Sequence, residues 1–105
     1  MWLENLLSAL DKKEIFGTRK VFIKGITDDS RKVRKGYLFV AVKGLTRDGH
    51  DFIDEAIKAG ARVLIGEKDL KTPISYIKVV DSREALGQLS SFWYGIPSKK
   101  LKVIG

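Results

Sequence analysis

The sequence predicts a single small α/β domain, a mostly parallel sheet flanked by helices, over residues 1–105. Three observations predict it. Short apolar runs at Tyr37-Leu38-Phe39-Val40-Ala41-Val42, Arg62-Val63-Leu64-Ile65-Gly66 and Ile74 to Val80 have the length and β-branched content of strands covered on both faces. A segment of helical period lies between the first two and another follows the third, while a charged loop, Glu67 to Pro73, joins the second to the third. Strand, helix, strand, strand, helix, strand is the pattern of a right-handed crossover fold. The chain has 105 residues, 44% hydrophobic and 10% aromatic, enough for one modest core and too apolar for a disordered segment.

The elements follow in order. Leu3, Leu6, Leu7 and Leu10 recur at helical spacing, predicting an amphipathic helix over the first dozen residues. Gly17 and Thr18 interrupt it. Val21, Ile23 and Gly25 alternate with Phe22, Lys24 and Ile26, predicting a strand. Thr27 to Ser30 are turn formers. After the Tyr37–Val42 strand comes a polar loop, Lys43 to Gly49, with Asp48 placed to cap a helix carrying Phe52, Ile53, Ala56 and Ile57 on one stripe. Gly60 stops that helix. Asp81 with Glu84 three positions on resembles a capping box, opening a helix with Ala85, Leu86, Leu89, Phe92 and Trp93 on its apolar side. Leu101, Val103 and Ile104 are expected to begin a further strand.

Composition excludes several classes. With no cysteine there is neither a disulfide framework nor a thiolate metal site. No run approaches the ~20 apolar residues of a membrane span, and the amino-terminal stretch has neither a basic leader nor a small-residue cleavage site. The expectation is a cytoplasmic monomer without membrane contact. Asn5 and Gln88 are the only side-chain amides and 31% of residues are charged, a thermophile-like balance. The net charge of +7 admits a solvated surface or an anionic partner. The basic residues are dispersed, and most aromatics fall on apolar faces. A polynucleotide groove, which interleaves the two, is therefore not the expectation, though a basic nucleic-acid-binding domain stays an alternative.

No nucleophile, base and electrophile assemble in the sequence. His50, the only histidine, stands at a helix start and is expected to pack locally. There is no metal-ligand spacing, no Gly-x-Ser-x-Gly elbow, no GxGxxG and no GxxxxGK[ST] loop. Two loops are candidates for binding, since open α/β sheets take ligands at the carboxyl ends of their strands. In Thr27-Asp28-Asp29-Ser30-Arg31 the serine offers a hydroxyl and the arginine a fork for phosphate; the same residues could simply close a turn. In Lys43-Gly44-Leu45-Thr46-Arg47-Asp48-Gly49 the glycines allow close backbone approach. Leu45 could lie against a base while Thr46 and Arg47 donate; a plain connection is the other reading. If their strands are neighbours, the two loops face one nucleotide-like ligand.

The fragments Gly25-Ile26-Thr27-Asp28-Asp29-Ser30-Arg31-Lys32-Val33, Gly36-Tyr37-Leu38-Phe39-Val40-Ala41, Gly44, Asp48-Gly49-His50-Asp51-Phe52-Ile53, Ala56 and Gly60-Ala61 resemble, in this order and spacing, the amino-terminal domain of the Mur ligases of peptidoglycan synthesis. The closing stretch, Phe92-Trp93-Tyr94-Gly95-Ile96-Pro97-Ser98 through Leu101 and Ile104-Gly105, is similar to the tripeptide-synthetase branch. The dipeptide-adding branch is the alternative. The resemblance implies that Ser30 and Asp28 contact the UDP part of a UDP-N-acetylmuramoyl dipeptide and that Leu45, Thr46 and Arg47 line the uridine. It implies no catalytic or metal-binding residue in this span. An ATP loop is expected a few residues beyond it. ATP, Mg2+ and the chemistry, phosphorylation of a carboxylate followed by attack of an amine, would belong to the remaining domains of the ligase. The 105-residue piece alone is then expected to be inactive.

Overall fold

A computed structural model describes residues 1–10, 13–42 and 49–94. In chain order these form α1 (Leu3–Leu7), β1 (Lys13–Phe16), β2 (Gly25–Thr27), a 3-10 turn (Ser30–Lys32), β3 (Tyr37–Val40), a second 3-10 turn (Gly49–Phe52), α2 (Ile53–Ala59), β4 (Val63–Gly66), β5 (Ser75–Val79) and α3 (Ser82–Trp93). The five strands form one sheet in the order β1-β5-β4-β3-β2. Strands β2 to β5 are parallel, with Gly25 opposite Tyr37, Leu38 opposite Val63 and Val63 opposite Ser75. β1 closes the other edge antiparallel, Lys13 opposite Val79.

The period-2 alternation of side chains explains the continuous apolar runs. Leu38, Val40, Val63, Ile65, Ile77 and Val79 point to one face, where Leu3, Leu6 and Leu7 of α1 and Ala85 and Leu89 of α3 cover them. Phe39, Leu64 and Tyr76 point to the other, under Val33 and Ile53 and Ala56 of α2. Every second residue therefore needs an apolar partner on each side, so no polar position interrupts β4, where all four residues are buried.

Local rules place the ends of the helices. Asp81 caps α3, its carboxylate accepting from the Arg83 and Glu84 N–H groups. Gly60 ends α2 at φ 113°, a left-handed conformation that lets the Ala61 N–H reach the Ala56 carbonyl.

Three expectations are corrected. The amino-terminal helix ends at Leu7, although Leu10 remains buried in the same cluster. Lys13–Phe16 is a strand, which the leucine periodicity had concealed. Val21–Ile23 is extended but lies outside the sheet: its backbone pairs with the amino terminus, Leu3 N–H to Val21 O at 2.8 Å and Ile23 N–H to Met1 O at 2.7 Å. The sheet strand starts only at Gly25. α2 is entered through a 3-10 turn, and Phe52 at its start makes no side-chain cap. Asp48 and the expected final strand lie outside the described residues.

Candidate functional site

The carboxyl ends of β2 and β3 lie side by side because these strands pair directly. Chain leaving β2 turns at once. The Thr27 hydroxyl accepts from the Asp29 N–H at 3.1 Å, and Asp29 then caps the 3-10 turn by accepting from the Arg31 N–H at 3.0 Å. This winding carries Ser30 inward, where it is only 8% exposed. Its hydroxyl donates to Glu55 Oε1 of α2 at 3.0 Å.

An open groove of about 540 Å³ runs over this point. Asp28, Asp29, Ser30 and Arg31 form its β2 side, Val42, Gly49, Phe52 and Glu55 its β3–α2 side, and Arg83 enters from the first turn of α3. Ser30 and Asp28 thus line one cavity. Leu45, Thr46 and Arg47 lie outside the described residues, but both flanks of their loop, Val42 and Gly49, line the groove and are joined by a Gly49 N–H to Val42 O bond of 2.9 Å.

Arg31 is engaged differently from what its sequence position suggests. Its Nε and Nη2 donate to the two oxygens of Asp29 at 3.1 and 3.0 Å. These bonds hold the Asp29 carboxyl below its ordinary value and raise the arginine. The fork holds the turn together rather than standing open for phosphate. Glu55 and Arg83 are groove residues that sequence reasoning missed. Arg83 was within reach of it, because the first turn of a helix following a parallel strand must lie at that end of the sheet. Glu55 carried no comparable signal.

Behind the groove, Glu67 ties three elements together. Its carboxylate accepts from the Ser82 N–H at 2.9 Å and the Ser82 hydroxyl at 2.7 Å, anchoring the start of α3. Its own N–H donates to His50 Nε2 at 2.9 Å, so that nitrogen acts as an acceptor and His50 is part of the local packing. The bonds from Ser82 hold the Glu67 carboxyl below its ordinary 4.5. A carboxyl depressed on folding contributes stability that is present above its unfolded value and lost as pH falls through the folded one. Stability should therefore fall as pH drops below about 4.5, and Glu67→Gln should flatten that acid limb while costing about 1 kcal/mol at neutral pH. Urea midpoints measured across this range check it; parallel acid limbs in both proteins would show that another group is linked.

A second cavity, about 530 Å³, lies at the opposite end of the sheet between Phe16, Arg62 and Tyr76. Three of its hydroxyls donate within the chain. Ser75 donates to Thr18 O, Thr72 to Ile74 O, and Tyr76 to the Lys68 carbonyl. Burial first, and the nearby Asp69 charge second, push the Tyr76 phenol up to about 12. Among the described residues, no three His, Asp or Glu side chains are grouped to hold a metal ion, and no helix is long and apolar enough to cross a membrane.

The comparisons with known proteins converge on this same stretch. The family model described as "Mur ligase family, catalytic domain" matches residues 22–94. The chain is 46% identical over 108 residues to a UDP-N-acetylmuramoyl-L-alanyl-D-glutamate--2,6-diaminopimelate ligase of Parabacteroides distasonis, and 45% identical over 107 residues to the ligase of the same name in Clostridium perfringens. Each alignment covers 100% of this chain and 22% of the relative, so the chain spans about a fifth of the proteins it matches. Among solved structures, MurF from Acinetobacter baumannii superposes over 86% of this chain and 20% of its own, with TM-score 0.67 and 30% identity. MurF ligase from Thermotoga maritima, in complex with ADP, covers 64% and 16%, with TM-score 0.57 and 40% identity. The matched span contains β2 to β5, the Ser30 turn and Arg83, that is, the four parallel strands and every described residue of the groove, and on that match the chain belongs to the Mur ligase family.

Proposed function

We propose that this domain holds the UDP moiety of UDP-N-acetylmuramoyl-L-alanyl-D-glutamate in the groove above Ser30, for ATP-dependent addition of the third peptide residue by the whole ligase. The observation that carries the reading is the placement of Ser30: buried, hydrogen-bonded to Glu55, and at the carboxyl ends of two neighbouring parallel strands. Asp28 shares the groove, and Leu45, Thr46 and Arg47 connect its two flanks in sequence. The relatives named as 2,6-diaminopimelate ligases support both the substrate and diaminopimelate as the residue added.

This reading places neither ATP nor Mg2+ on this domain: among the described residues no three His, Asp or Glu side chains are grouped to hold a metal ion, and the sequence has no GxxxxGK[ST] loop. ATP and Mg2+ are assigned to the remaining domains. There the substrate carboxylate would take the terminal phosphoryl group of ATP, releasing ADP, and the amine would displace phosphate to form the amide. The part played by this domain is to grip the far end of the substrate, so that binding energy remote from the reacting carboxylate positions it.

Titration with UDP, followed by NMR, tests the reading. Shifts are expected at Ser30 and in residues 45–47, with Ser30→Ala weakening binding about five-fold, the worth of one hydrogen bond of about 1 kcal/mol. Shifts confined to the cavity beside Phe16 and Arg62 would refute the site.

A second reading, the dipeptide-adding branch, is favoured by the MurF structures among the neighbours. Both branches would grip UDP, so the product separates them. Mass spectrometry of the full-length protein supplied with the UDP-muramoyl dipeptide and diaminopimelate shows the tripeptide product only on the first reading.

A further inference from the structure

The groove straddles the end of the sheet, and its two sides carry opposite chemistry. Glu55 comes from α2, packed on one face, while Arg83 comes from α3, packed on the other. Asp28 and Asp29 also line the groove, from the β2 side. Ser30 has a single hydroxyl proton, and Glu55 takes it. What the Ser30 and Glu55 side chains present to a ligand is therefore lone pairs, which suit hydrogen-bond donors and repel phosphate.

The cations differ as well. The Arg31 guanidinium is paired with Asp29 through two of its nitrogens. The Arg83 guanidinium is exposed and, among the described residues, makes no hydrogen bond or ion pair; only its backbone N–H is engaged, by Asp81. The N–H groups of Arg83 and Glu84 are both taken by Asp81, so the amino end of α3 itself is spoken for, and among the described residues lining the groove the Arg83 side chain is the cation left for an anion.

We propose that Arg83 is the diphosphate contact of this groove, while Ser30 and Glu55 read hydrogen-bond donors of the nucleoside, its imide N–H or ribose hydroxyls. The proposal rests on the groove being the UDP site. It makes the groove directional, with the nucleoside toward α2 and the phosphates toward α3.

Uridine and UDP are the probes, titrated into the 105-residue chain and its Arg83→Gln, Arg83→Lys and Glu55→Gln variants, each first shown by NMR to keep the native spectrum. Arg83→Gln should weaken UDP about ten-fold, as loss of a charge-assisted hydrogen bond does, and leave uridine within about two-fold. Arg83→Lys should fall between, and the salt dependence of UDP binding should shrink in Arg83→Gln. Glu55→Gln should weaken uridine and UDP by the same factor. Equal loss of uridine and UDP in Arg83→Gln, or UDP binding at Ser30 that Arg83→Gln leaves unchanged, overturns the role of Arg83 while the site stands. No UDP binding by the unaltered chain overturns the UDP site and this proposal together.

Discussion

Phe39→Ala is expected to lower the unfolding free energy by about 3–5 kcal/mol. Phe39 is 0% exposed and lies on β3, opposite Thr27 on one neighbour and Leu64 on the other. Its ring fills the layer between the sheet and α2 with Leu64, Tyr76, Ala56 and Val33, all buried. None of these can collapse into the vacated space without moving the strands, so the cavity term adds to the lost transfer energy. A domain of this length has only about 5–15 kcal/mol in total. The variant should therefore show a much lower urea midpoint at an unchanged slope. Phe92→Ala, at a residue 40% exposed on α3, serves as the comparison and should stay within about 1 kcal/mol. Equal losses in the two would mean that the α2-side core does not carry the stability assigned to it.

Gly49→Ala should have the second largest effect, and it should act on binding as well as stability. A β-carbon at Gly49 would stand 2.6 Å from Val42 N, 2.8 Å from Val42 O and 2.9 Å from the Ala41 carbonyl carbon. All three are backbone atoms, so no rotamer change relieves the clash; β3 or the 3-10 turn must move. The cost is about 1–3 kcal/mol. Val42 and Gly49 line one side of the groove and are joined by a backbone hydrogen bond. Displacing them should weaken UDP about ten-fold even where the variant is fully folded, the loss expected when one or two hydrogen bonds of about 1 kcal/mol go out of reach. A thermal melt fixes the working temperature and titration below it reads the affinity. Reduced stability with unaltered UDP affinity would show that this side of the groove does not touch the ligand.

Much of the fold was legible because its central strands are buried on both faces. That condition leaves apolar runs such as Val63-Leu64-Ile65 with no polar interruption, and it forces the covering helices to show stripes such as Ile53, Ala56 and Ile57. β1 escaped notice because an antiparallel edge strand needs few apolar residues. Lys13-Glu14-Ile15-Phe16 has an exposed residue at every second position and no run to see. Val21–Ile23 shows the opposite failure: alternation there is real, but the backbone partner is the amino terminus rather than the sheet.

The sequence by itself determined the class of fold, the central strands, two of the three helices that cover them, and the position of Ser30 and Asp28 just past a strand's carboxyl end. These follow from side-chain period and turn chemistry, which act over a few residues. Only the tertiary structure decided which residues meet there. It brought Glu55 to the Ser30 hydroxyl across 25 positions, where the carboxylate accepts the hydroxyl proton, and closed Arg31 onto Asp29. It also set Arg83 at the same groove from the opposite face of the sheet. No local pattern encodes such meetings, because they depend on the order and direction in which the strands pair.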